Sequence, residues 1–219
     1  MSSAASEVTP GVVLHSRPLR ENSRVVELVT ERAGRVAAVA RGRAGSVRPF
    51  VLLDLAWRGR GELPSLNVAE ERRVYPLTGR RLVCGLYLNE LVLRLFPRDA
   101  PLEDTLQTLT GAYTDLALDR PADRILRRAE WQLLGGLDSG LAFIDPDDLE
   151  PEAWYRYEPE HGLHDVPART AGAVPGGALQ ALASGRDVPD NLARASRDFM
   201  RALIDAHLDG RPLQTRGLL

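Results

Sequence analysis

The chain has 219 residues, 44% apolar and 26% charged, with a net charge of −2. That composition suits a globular protein with one large core or two small ones and argues against wholesale disorder. No run approaches the roughly 18 consecutive apolar residues of a membrane span, residues 1–10 lack the features of a secretory leader, and a lone cysteine, Cys84, excludes an internal disulfide framework.

These features point to the cytoplasm. The charge is unevenly placed. Residues 1–81 carry fourteen arginines against eight acidic residues, a balance of +6, and the remainder carries −8. Every basic side chain is arginine. A basic first third beside an acidic remainder suggests a surface for a polyanion.

Residues 8–75 read as five short strands with turn signals between them. Val12-Val13-Leu14 precedes a polar turn at residues 20–23, and residues 25–30 lead through Ala33-Gly34 into residues 35–40. A further pair covers residues 50–57 and 63–74. Short strands at this spacing suit a small closed sheet, whose closure protects the strand edges. Arginines gather at the joints: Arg32 and Arg35 flank one turn, Arg41, Arg43 and Arg48 lie in a glycine-containing loop, and Arg58 and Arg60 in another. Loop guanidiniums on a rigid barrel meet phosphates without needing a fixed base sequence. Each alone also fits an ordinary solvated face. Trp57 and Tyr75 are candidates for base stacking or for barrel core.

From Arg80 the pattern becomes helical. Leu82, Val83, Leu86, Leu88, Leu91, Val92, Leu93 and Leu95 make a helix apolar on most sides, with Cys84 as a core residue inside it. Pro97 ends it, and Pro101 opens the next, where Leu102, Leu106, Leu109, Tyr113 and Leu116 form one stripe. A third helix over residues 122–134 buries Leu126, Ala129 and Leu133. Arg124, Arg127, Arg128 and Trp131 share another of its faces at i, i+3, i+4 and i+7, a socket for an acidic, aromatic-ended peptide or for DNA, or an ordinary outer face. Residues 138–178 are irregular. Asp145, Asp147, Asp148, Glu150 and Glu152 read as a solvated loop rather than a nuclease centre, and His161 and His164 fall short of the four ligands of a zinc site. A last helix begins near Asp190 and turns Leu192, Ala195, Phe199, Leu203 and Ala206 inward.

Several segments look like a known family. Val13-Leu14-His15-Ser16-Arg17-Pro18-Leu19-Arg20-Glu21-Asn22-Ser23 resembles the first strand and turn of the RecO family of bacterial recombination mediators. Gly34-Arg35-Val36 through Ala40-Arg41-Gly42 resembles the next hairpin, and Arg48-Pro49-Phe50, Trp57-Arg58-Gly59-Arg60-Gly61-Glu62-Leu63 and Ala69-Glu70 follow in order. Gly85-Leu86-Tyr87-Leu88-Asn89-Glu90-Leu91, Arg128-Ala129-Glu130-Trp131-Gln132-Leu133-Leu134 and Gly210-Arg211-Pro212-Leu213-Gln214-Thr215-Arg216 extend the likeness along nearly the whole chain.

The resemblance implies an α+β protein of two domains: an N-terminal OB-fold barrel over residues 1–79 and an all-helical domain over residues 80–219, with an irregular insertion near residues 138–178. It implies a non-catalytic mediator of DNA repair and homologous recombination, cytoplasmic and nucleoid-associated during repair. Such proteins bind single- and double-stranded DNA, anneal complementary strands, take the acidic C-terminal tail of the single-stranded-DNA-binding protein, and with RecR help load RecA. DNA-binding residues are then expected among Arg32, Arg35, Arg41, Arg43, Arg48, Arg58 and Arg60, and tail-binding residues among Arg124, Arg127, Arg128 and Trp131.

Two departures matter. Many members carry a four-cysteine zinc module where residues 155–175 hold no cysteine, so a short metal-free hairpin or loop is expected, with no cofactor and no small-molecule substrate. The basic loop at residues 41–48 is also short for the family. No P-loop is possible without lysine, and no nucleophile elbow or convincing triad appears. Besides the mediator, two readings stay open: a protein-interaction adaptor whose barrel has little DNA affinity, and an RNA-binding barrel, since phosphate contacts do not separate DNA from RNA.

Overall fold

The computed structural model describes residues 7–42, 47–59, 61, 63–98, 102, 104–137, 141, 144–158, 160–168, 170–208 and 210–219. It divides into two compact units, residues 1–119 with 215–219, and residues 120–214. The passage from strand to helix at residue 79 and the division between units thus fall at different places along the chain.

The first unit is built on five strands: β1 (Thr9–Arg20), β2 (Ser23–Thr30), β3 (Gly34–Arg41), β4 (Val51–Arg58) and β5 (Ser65–Val74). They close into a barrel in the order β1-β2-β3-β5-β4, with β3 and β5 parallel and every other pair antiparallel. This is the OB-fold arrangement expected from the sequence. Strand alternation sends Val13, Val26, Leu28, Ala38, Ala40, Leu53, Leu55 and Leu66 into one interior cluster. Trp57 packs against that cluster, and Tyr75 is buried against the ring of Tyr113, so the structure uses both aromatics as packing.

Helices α1 (Gly79–Leu95) and α2 (Thr105–Ala117) follow the barrel within the same unit. A buried polar chain ties them to it. The Tyr113 hydroxyl donates to Asn89 Oδ1, and Asn89 Nδ2 donates to the Leu14 carbonyl at 3.1 Å. Burial pushes the Tyr113 phenol far up, which keeps it a donor. A 3-10 turn, Thr215–Leu218, returns to α1, where Glu90 accepts from the Thr215 amide at 2.9 Å and its hydroxyl at 2.6 Å.

The second unit contains α3 (Ala122–Gly135), α4 (Gly176–Ala183) and α5 (Ala193–His207). Where a hairpin or loop was expected, β6 (Trp154–Glu158) and β7 (Gly162–Val166) pair as a hairpin, and β8 (Val174–Pro175) adds a third strand beside β6, so this part of the chain is not all-helical. Gly176 is required where β8 meets α4: a Cβ there would lie 2.0 Å from the Glu150 carbonyl oxygen. The amphipathic stripes of α3 and α5 explain their burial, with Ile125, Leu126, Ala129, Leu133, Phe199, Met200, Leu203 and Ile204 inside. No helix of the described residues is long and apolar enough to cross a membrane.

Candidate nucleic-acid interface and arginine groove

The strand register sorts the barrel arginines. Arg20 and Arg41 both lie opposite Ser23, one across the β1–β2 pairing and one across β2–β3. Arg58 pairs with Ser65, and Ser65 lies beside Val39, two residues before Arg41. The end of β3 therefore sits between the β1–β2 turn and the β4–β5 loop, and exposed Arg20, Arg41 and Arg58 gather around it, with exposed Arg17 close by on β1. Arg24 belongs to the same corner but is half-buried, donating to Ser16 Oγ at 2.9 and 3.2 Å. Arg17, Arg20 and Arg24 were not singled out from the sequence, because their proximity to Arg41 exists only through the register.

The other predicted arginines lie elsewhere. Arg35 is six residues from Arg41 along β3, about 20 Å at 3.3 Å per residue. Its guanidinium donates to the Leu93 and Phe96 carbonyls at 2.9 and 2.6 Å and to the Glu27 carboxylate at 3.1 and 3.3 Å. Arg98 binds the same carboxylate. Burial alone pushes the Glu27 carboxyl up, but hydrogen bonds and charge from Arg98 and Arg35 outweigh it and hold the group below its ordinary range. Arg32 pairs with Glu7, and Arg48 pairs with Glu71 at 2.8 Å. Arg43 and Arg60 lie outside the described residues.

The predicted helix face forms one wall of a groove of about 270 Å³. Arg124, Arg127 and Arg128 of α3 line it, joined by Arg186 from beyond α4, Arg197 of α5, and apolar Leu182, Val188 and Ala193. Arg124 donates to Asp187 at 2.8 Å and to Asp190 at 3.1 Å, and these bonds push its pKa further up. Arg127 pairs with buried Glu130 at 2.6 Å. Trp131 is not among the lining side chains. It is buried, 8% exposed. Periodicity showed the α3 arginines, whereas Arg186 and Arg197 come from other elements and carried no local signal.

The acidic stretch behaves as loop structure, with Asp145 accepting from the Asp147 amide at 2.9 Å to cap a 3-10 turn. His161 and His164 flank Glu158 in the β6–β7 hairpin. Among the described residues no group of three or more His, Cys, Asp or Glu side chains is arranged to hold a metal ion.

Comparison with known proteins agrees with this architecture. Residues 1–75 match the family described as recombination protein O N terminal. Over 227 residues the chain is 42% identical to the DNA repair protein RecO of Pseudomonas aeruginosa (strain LESB58), covering 100% of this chain and 96% of that protein. The protein of the same name from Nitrosococcus oceani is 40% identical, with 96% and 91% covered, and that from Halorhodospira halophila 39% identical, with 94% of each covered.

Proposed function

Because the chain belongs to the RecO family of DNA repair proteins, we propose that it is a non-catalytic recombination mediator that binds single- and double-stranded DNA through the arginine end of its barrel and anneals complementary strands. The α3 groove then takes the acidic C-terminal tail of the single-stranded-DNA-binding protein. With RecR the protein helps load RecA on coated DNA, in the cytoplasm at the nucleoid.

The observation that carries the DNA reading is the gathering of Arg20, Arg41 and Arg58 around the end of β3. Guanidiniums stay charged at any physiological pH and bind phosphate oxygens in pairs. A cluster on one corner neutralises phosphates of both strands, which lowers the repulsion that opposes their pairing, and it needs no base sequence to do so. Two sets of binding groups on one chain, one for the strand and one for a protein that coats it, would bring the barrel to DNA already covered.

The test is fluorescence anisotropy of labelled single-stranded DNA across a salt series, with strand annealing followed in parallel. Log affinity should fall linearly with log salt, and Arg20→Glu/Arg41→Glu/Arg58→Glu should flatten that slope by roughly one unit per lost phosphate contact and stop annealing while thermal unfolding stays intact. Undiminished annealing in the triple variant would remove this end of the barrel from the reading.

One feature favours the adaptor reading instead. OB-folds commonly bind nucleic acid across strands 2 and 3 together with the β1–β2 and β4–β5 loops, yet the outward residues Val25, Val29, Ala37 and Val39 on those strands are buried, which leaves only the loop end. Absence of binding even at low salt would decide for an adaptor.

A further inference from the structure

We propose that Asp187 and Asp190 are internal competitors for Arg124 in the arginine groove, so that an acidic peptide enters by displacing their carboxylates. The inference rests on the reading of the groove as a tail-binding site and concerns how that site is regulated. Asp187 and Asp190 take the two terminal nitrogens of Arg124, Nη1 at 2.8 Å and Nη2 at 3.1 Å. Each nitrogen thus holds a separate carboxylate through a charge-assisted hydrogen bond, the kind of contact that two acidic side chains of a peptide would make. Between the two aspartates Val188, 7% exposed, joins Leu182 and Ala193 in the groove lining. Carboxylates on arginine with an apolar side chain alongside are also what an acidic, apolar-ended peptide would bring.

The two carboxylates are placed to be displaced. They sit on a connection between two helices: α4 gives way at Ser184 to Gly185, whose φ of +66° turns the chain, and Pro189 leads into the 3-10 turn Asp190–Leu192 before α5. The ion pairs they make are open to water, with Asp187 51% and Asp190 91% exposed. Exposed pairs contribute little each and are screened by salt. A ligand with several carboxylates therefore replaces them at small cost, whereas a single weak anion gains nothing over the resident aspartates. The two aspartates thus set a threshold on how acidic an incoming peptide must be.

The experiment titrates the full chain into a fluorescein-labelled peptide ending in several aspartates and a C-terminal phenylalanine. Asp187→Asn/Asp190→Asn should bind about threefold to tenfold tighter than the unchanged protein, the range expected for two exposed ion pairs. Asp190→Asn alone should gain more than Asp123→Asn, although each removes one charge from the lining of the same groove. No gain in the double variant overturns the competitor while binding by the unchanged chain keeps the tail site. Equal gains from Asp190→Asn and Asp123→Asn overturn it as well, because a general field effect then suffices. Binding by none of the proteins overturns the tail site and the competitor together.

Discussion

Arg35 shows how differently one residue type is used within a single barrel. In the sequence it is one turn-flanking arginine among several, but its side chain is only 14% exposed and spans from the Glu27 carboxylate to two carbonyls at the end of α1. Arg35→Ala should cost about 2–4 kcal/mol, because it leaves a largely buried carboxylate with one partner fewer and two carbonyls without a donor. Chemical denaturation would measure it, and a loss below about 0.5 kcal/mol, the scale of an ordinary surface change, would show that water replaces the guanidinium. The deficit should depend on pH. The folded Glu27 carboxyl is held below its ordinary 4.5, so its ionised form stabilises the native state above that value and the contribution disappears as pH falls through the lowered one. The gap between variant and parent should therefore narrow in acid, and charge reversal at Arg35 would confuse loss of DNA contact with loss of fold.

At the scale of elements, the seating of α1 turns on Gly85. A Cβ there would come within 2.6 Å of Phe50 Cε1 and 2.8 Å of Leu77 Cδ1. Phe50 has little freedom to yield, since its φ is +63° and its ring sits edge-on to Tyr113 at 5.2 Å between centroids. Alanine gains about 0.5–1 kcal/mol of helix propensity over glycine, but overpacking costs about 1–3 kcal/mol, so Gly85→Ala should lower the denaturation midpoint. Gly111 in α2 is the counterpart: exposed, with nothing within 4 Å of its would-be Cβ. Gly111→Ala should raise the midpoint, and a gain for both would mean that propensity outweighs packing at Gly85. The elements themselves were largely legible. Alternation marked the five strands, and apolar periodicity marked α1, α2, α3 and α5. The α4 helix was not, because its eight residues begin with Gly176-Gly177, stop at Ser184-Gly185 and are too apolar to show a stripe. Trp131 illustrates the limit of helical spacing as a guide to surfaces. It repeats with Arg124 and Arg128, yet burial takes it into the core.

Over the whole molecule, a net charge near zero conceals two kinds of basic surface, a barrel corner and a helical groove, each completed by residues far apart in sequence. The corner is assembled by pairing register and the groove by helix packing, and neither leaves a contiguous motif. That is why composition located the basic third while the grouping of its arginines stayed illegible. The barrel is not fastened evenly. β2 and β3 share eight registered pairs, whereas β3 and β5 share two, helped by the Val39 amide donating to the Pro64 carbonyl at 2.8 Å. Hydrogen exchange should find the Val39 amide less protected than those of the β2–β3 ladder, with local opening at the lower free energy, and uniform protection would mean a wall that opens only as one. The strands that meet at this join carry Arg41 at one margin and lead back to Arg58 at the other, so each opening spreads the two cations apart. The gauge between them is then elastic, set by the weakest join in the wall, and a corner that stretches can follow phosphates at the different spacings of an extended strand and a duplex.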